Sequence, residues 1–132
     1  LIAPIGRHPR ERHKMHVGGL AARYAETEFQ VLATAGPYAL VEARPHTGRT
    51  HQIRVHLKYL GAPILGDELY GRKSPHIGRQ ALHAYALRIP RARSGGILEL
   101  LAPVPQDVAA AWEALGGRGP EEVVREGYAG AQ

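Results

Sequence analysis

Hydrophobic and polar positions change period several times along the 132 residues, and each change marks an element. Leu1–Val17 begins apolar and turns basic, and Pro4 and Pro9 oppose a continuous helix, so it reads as a short strand followed by a basic loop. From Glu28 to Ala33, Phe29, Val31 and Ala33 alternate with Glu28, Gln30 and then Leu32; Ala35-Gly36-Pro37 follows, and the run Tyr38–Glu42 returns. This pattern predicts a β-hairpin. Its second strand ends at Arg44-Pro45, because the residue before a proline is driven to an extended conformation.

Thr47, Gly48 and Arg49 predict a turn, and Thr50–Leu60 predicts a helix closed by Gly61. Its buried stripe is expected at Ile53, His56, Leu57 and Leu60, spaced i, i+3, i+4, i+7, with His51, Arg54 and Lys58 as a second, cationic stripe. Gly61–Gly71 reads as a tightly turned connection and Arg72–Arg79 as a polar loop. A strand over Ala81–Ile89, a turn over Pro90–Gly96, a strand over Ile97–Ala102 and a helix over Gln106–Leu115, with Val108 and Trp112 facing inward, complete the pattern. Residues 117–132, rich in Gly and Glu, read as a flexible tail. The expected fold is α+β, a mixed and mainly antiparallel sheet with a few helices, forming one domain over residues 1–116.

Composition adds a partner class. The chain carries 17 Lys and Arg against 12 acids, a formal charge of +5, which makes an anionic partner plausible beside the plainer reading of a solvated surface. The cations concentrate in Leu1–Arg23 and Arg44–Arg93, on either side of the acidic hairpin. The absence of Cys excludes disulfides and thiolate metal sites, and no apolar run approaches the roughly 20 residues that span a bilayer. The expected location is cytoplasmic, with no membrane partner.

Glu42–Gly71 is the stretch richest in chemistry. It delivers a strand, a basic turn and a helix whose first turns hold Arg49, His51, Gln52 and Arg54, a place where guanidinium groups and helix N–H groups suit phosphate or carboxylate. His46, His51 and His56 invite a metal reading, but a five-residue step turns a helix by roughly 500°, so His51 and His56 do not share a face and no metal is expected. His56 reads as a hydrogen-bonded core residue, His51 as a polar neighbour of the site, and His83 as either. Asp67, between Gly66 and Tyr70, reads as a turn cap that accepts backbone N–H bonds more readily than as a catalytic group. Tyr70 and Tyr85 read as core before base-stacking residues, and Arg7, His8, Arg10, Arg12 and Lys14 as a mobile phosphate-binding loop.

Gly48-Arg49-Thr50-His51-Gln52-Ile53-Arg54-Val55-His56, followed by Gly61, Pro63, Gly66-Asp67 and Tyr70, resembles the third conserved block of RluA/RluD-type pseudouridine synthases. Those enzymes carry a pattern like GR-x-HQ-[IL]-R-V-H, a short Gly-Pro connection and GD-x-x-Y. The flanks PIGRHPRERHKM at Pro4–Met15 and RQALHAYAL at Arg79–Leu87 are similar too, so the resemblance runs from about Ile2 to Leu115. It implies isomerisation of uridine to pseudouridine in structured RNA, expected to be ribosomal large-subunit RNA, with no metal and no organic cofactor. In that family an Asp of an R-L-D-x-x-T-S-G block starts the reaction on a flipped-out nucleotide, and an Arg of the HQIR helix pairs with it. By motif position that Arg is Arg54, with Ile53 and the Leu57 face as the apolar wall behind it. Arg7, Arg10, Arg12, Lys14, Arg49, His51, Gln52 and Lys58 are the expected RNA-binding residues.

The sequence departs from the family at one point. Its two aspartates, Asp67 and Asp107, lie outside any R-L-D block, which would precede Leu1. The first residue is Leu and the one Met is Met15, so the chain reads as the C-terminal part of a catalytic domain, and alone it is expected not to isomerise uridine. Two other readings stay open: a noncatalytic RNA-binding module derived from such an enzyme, and a basic α+β protein with no RNA role.

Overall fold

The computed structural model describes residues 1–91 and 95–130, so part of the expected turn at Pro90–Gly96 and the last two residues lie outside the described residues. The fold is α+β. Strands β1 (Ile5–Arg7), β2 (Met15–Val17) and β3 (Leu20–Arg23) form one antiparallel sheet in the order β2-β1-β3. The hairpin β4 (Thr27–Ala35) and β5 (Tyr38–Pro45) precedes helix α1 (Gln52–Tyr59). A second ribbon, β6 (Ala86–Pro90) with β7 (Ile97–Leu101), is followed by α2 (Gln106–Ala114) and α3 (Pro120–Gly130).

The β4–β5 hairpin forms where the period-2 alternation places it, and Pro45 ends it. Leu32 breaks the alternation because it is an extra residue: Val31 pairs with Val41 and Ala33 with Leu40, leaving Leu32 unopposed in a bulge. The bulge brings Leu32 against α3, where a Cβ added to Gly127 would lie 2.6 Å from Leu32 Cδ2. Helix α1 lies against β2, β4 and β5, and Ile5, Ala25, Val55 and Tyr70 form the core beneath it, with Met15, Val17 and Leu69 packed around them.

Three expectations differ from what is observed. Of the stripe expected at Ile53, His56, Leu57 and Leu60, His56 alone is buried, and Gln52 and Val55 complete the buried face of α1; Leu60 is exposed, and the two buried polar residues enter the interior because hydrogen bonds satisfy them. The strand expected from Ala81 begins only at Ala86. Ahead of it, the Arg79 guanidinium donates to the Gln80 and Leu82 carbonyls and the Ala81 N–H donates to Leu65, so these backbone groups are already occupied and cannot join a ladder. Within residues 117–132, where a flexible tail is expected, Pro120–Gly130 is helical. Pro120 opens it without needing an N–H partner, and Glu121 and Glu122 suit the positive end of the helix. Gly127, which lowers helix propensity, permits the close approach to Leu32.

Candidate active site and RNA-facing surface

The N-terminus of α1 is fixed from inside. The Gln52 amide donates to the Glu26 carbonyl and to Thr27 Oγ1, both at 2.9 Å, and accepts from Thr47 Oγ1 at 2.7 Å and the Arg49 N–H at 3.0 Å. His56, fully buried, donates from Nε2 to the Ala3 carbonyl, since a carbonyl only accepts. In the neutral ring Nδ1 then accepts from the Thr27 hydroxyl at 2.8 Å. Gln52 is therefore a structural lock rather than the RNA ligand expected of it, because its four hydrogen-bonding positions are taken.

Arg54 lies on the other side of the same turn. Its Nε donates to Asp67 Oδ2 at 2.9 Å and its Nη2 to Asp67 Oδ1 at 2.8 Å, and its guanidinium carbon stands 5.1 Å from the centroid of the Tyr70 ring. Asp67 is completely buried, and its Oδ1 also accepts the backbone N–H groups of Leu69 and Tyr70. Asp67 thus caps its turn as the sequence suggests, and in addition pairs with Arg54. Burial pushes the Asp67 carboxyl up, but hydrogen bonds from Arg54 and from the Tyr70 backbone, with the Arg54 charge, outweigh it and hold the group below the ordinary carboxylate range. The hydrogen bond to Asp67 raises Arg54 in turn, against its own desolvation.

The turn that presents Asp67 depends on Gly66, whose φ is +77°; a Cβ there would meet the Arg79 carbonyl oxygen at 2.3 Å. Tyr70 closes the arrangement. Its hydroxyl accepts the Met15 N–H at 2.9 Å and meets His51 Nδ1 at 2.7 Å. Burial, then the neighbouring Arg54 charge, lowers the His51 pKa, which disfavours the charged form of the ring. Lys58 remains exposed.

The basic loop between β1 and β2 carries hydrogen bonds and an ion pair of its own. His8 Nδ1 accepts the backbone N–H groups of Arg10 and Glu11, Arg7 donates to the Arg12 carbonyl, and Lys14 pairs with Glu11 at 3.3 Å. Arg7, Arg10 and Arg12 are exposed on it, and Lys14 is half-buried. Arg49 donates from Nε to the Tyr24 carbonyl and sits at the surface beside the exposed Tyr24. The three candidate metal-binding histidines have separate surroundings: His46 lies near Glu26 and Glu28, His51 on Tyr70, and His56 between Thr27 and Ala3.

Residues 2–59 match the family model of RNA pseudouridylate synthase. An uncharacterized RNA pseudouridine synthase of Chloroflexus aurantiacus is 50% identical over 108 residues, which are 80% of this chain and 34% of that protein. Ribosomal large subunit pseudouridine synthase D of Nitrosomonas europaea is 44% identical over 124 residues, 86% of this chain and 35% of that one. The chain belongs to the RluA/RluD-type RNA pseudouridine synthase family. Human RNA Pseudouridylate Synthase Domain Containing 1 superposes with a TM-score of 0.65 at 28% identity, over 91% of this chain and 59% of that chain. The chain spans about a third of the length of the curated pseudouridine synthases it matches.

On this family's helix motif, the ion pair of Arg54 with Asp67 is the feature that sequence reasoning missed. The signal was present in the GD-x-x-Y spacing, which lets one carboxylate cap the Tyr70 N–H while the ring of Tyr70 lies beside the guanidinium. A groove of about 840 Å³ lies elsewhere, lined by Leu32, Leu40, Ile53, Leu82, Val108 and Val124. Arg54 does not line it, so the hydrogen bonds rather than the groove define the site.

Proposed function

We propose that this chain supplies the arginine side of a uridine-isomerising site, acting in the cytoplasm on structured RNA, with ribosomal large-subunit RNA as the substrate. The observation that carries this reading is Arg54: a side chain only 15% exposed, its guanidinium held by a buried carboxylate and an aromatic ring, at the position where the family motif places the partner of the nucleophile. The relatives named ribosomal large subunit pseudouridine synthase D favour the ribosomal substrate. Arg7, Arg10, Arg12, Arg49, His51 and Lys58 contribute the RNA-facing polar surface, Lys14 steadies the loop through Glu11, and no metal or organic cofactor takes part.

One observation favours a narrower reading of the chain by itself. Of its two aspartates, Asp67 is completely buried and Asp107 is tied to Arg79 at 2.9 and 3.1 Å at the exposed start of α2, and neither stands in an R-L-D block, so the chain alone binds RNA without isomerising it. Two measurements on the purified chain test this, using large-subunit ribosomal RNA as the probe. Retention on filters across a salt series should fall steeply, as phosphate contacts require, and mass spectrometry of the treated RNA should show no new pseudouridine. A flat salt response removes the RNA reading, whereas new pseudouridine removes the claim of inactivity.

A further inference from the structure

We infer that Asp67 is a positioning residue that presents the outer edge of Arg54 to a second oxyanion, so that one guanidinium holds two anions at once. The inference rests on the reading of Arg54 as the site's arginine, and it adds to the Asp67 pair with Arg54 the task of aiming the edge that Asp67 does not occupy.

A guanidinium offers five N–H groups in a rigid plane, and a carboxylate can take them in pairs along either of two edges. Asp67 takes the side edge, Nε and Nη2. The end edge, made of Nη1 and the second Nη2 hydrogen, is left over. Nη1 has no partner among the described residues, yet none of their buried side-chain nitrogens or oxygens lacks one, so Nη1 must reach solvent. The plane is fixed on two further counts. The guanidinium carbon lies over the Tyr70 ring, 5.1 Å from its centroid, and Asp67 is itself anchored by two backbone N–H groups on a turn that only glycine at position 66 permits. A second anion therefore meets a pre-aimed pair of donors and has no need to displace the first.

The ligand chemistry is a group with two oxygens spaced to match that edge, which fits either a carboxylate or an RNA phosphate. Positioning and simple charge make opposite predictions about Asp67. Removing a carboxylate next to a guanidinium should tighten anion binding on Coulombic grounds. If Asp67 aims the edge, its removal should weaken binding.

The test is a titration of the 132-residue chain with sodium acetate and, separately, with inorganic phosphate, followed through the nitrogen-15 and proton resonances of the Arg54 side chain. In the wild-type chain the anion should move the Nη resonances saturably while Nε–H stays in its bond to Asp67. Saturation by acetate alone assigns the edge to a carboxylate, by phosphate alone to RNA backbone, and either supports the inference. Asp67→Asn should weaken the response roughly threefold or more, and equal or tighter binding would overturn the inference while leaving Arg54 as the site. If Arg54→Lys leaves anion binding unchanged, read from backbone amide shifts, the Arg54 assignment itself falls. Should Asp67→Asn fail to fold, the wild-type titration still decides: loss of the Nε–H bond on adding anion means competition for one edge, and no Nη response means no second site, and each overturns the inference.

Discussion

Replacing Gln52 by Ala separates the lock described above from a role in RNA contact. The side chain is only 4% exposed and makes four hydrogen bonds. Two of its partners, Thr47 Oγ1 and the Arg49 N–H, lie where water can replace the amide. The other two are the half-buried Glu26 carbonyl, which keeps the His46 N–H, and the fully buried Thr27 hydroxyl, which keeps His56 but loses a donor in the interior. At about 1 kcal/mol net for each bond, and more for a buried group left unsatisfied, Gln52→Ala should cost about 2–4 kcal/mol. That is a large share of the roughly 5–15 kcal/mol typical of a folded domain. Urea denaturation should show a lower midpoint at unchanged slope, and filter retention per folded molecule should stay within about twofold of the parent chain. A loss below about 1 kcal/mol together with a tenfold drop in RNA affinity would refute the lock and return Gln52 to the RNA surface.

Two other outcomes follow from the same geometry. Gly66→Ala should destabilise the chain by more than about 2 kcal/mol, because the new Cβ meets a backbone oxygen in a left-handed conformation; thermal unfolding monitored by circular dichroism checks it. Asp67 has a folded-state pKa below its unfolded value, so its contribution to stability is complete above the ordinary carboxylate pKa of about 4 and disappears as pH falls through the depressed one. Unfolding free energies measured from neutral pH downward should therefore fall more steeply below that point in the parent chain than in Asp67→Asn, and parallel curves would count against the assignment.

The hairpin and the extent of α1 were legible because each is written locally: alternation with a Gly-Pro turn in one, a basic turn and a closing glycine in the other. The face of α1 was not. A pattern of apolar positions counts Gln52 as surface, and only the nearness of Thr27, Thr47 and Glu26, some of them more than 20 residues away, turns it inward. Helix α3 escaped for a similar reason, since its glycines oppose a helix locally and Gly127 makes sense only once Leu32 lies against it. Of the site, Arg54 was singled out by its motif, and the anchoring of Asp67 by its Gly-Asp turn. Their mutual bond was not, because nothing in a gap of 13 residues says that the chain folds back on itself there.

The buried run from Thr47 through Gln52, Thr27 and His56 to Ala3 also determines which seating of the first long strand the interior will accept. Sliding β4 by one residue would exchange Thr27 for Glu26 or Glu28 and set a carboxylate, with no hydroxyl to pass the chain onward, between an amide and an imidazole. Alignment of the hairpin is thus enforced by a threonine that fits at one place only, a proofreading of strand placement that grease alone does not provide.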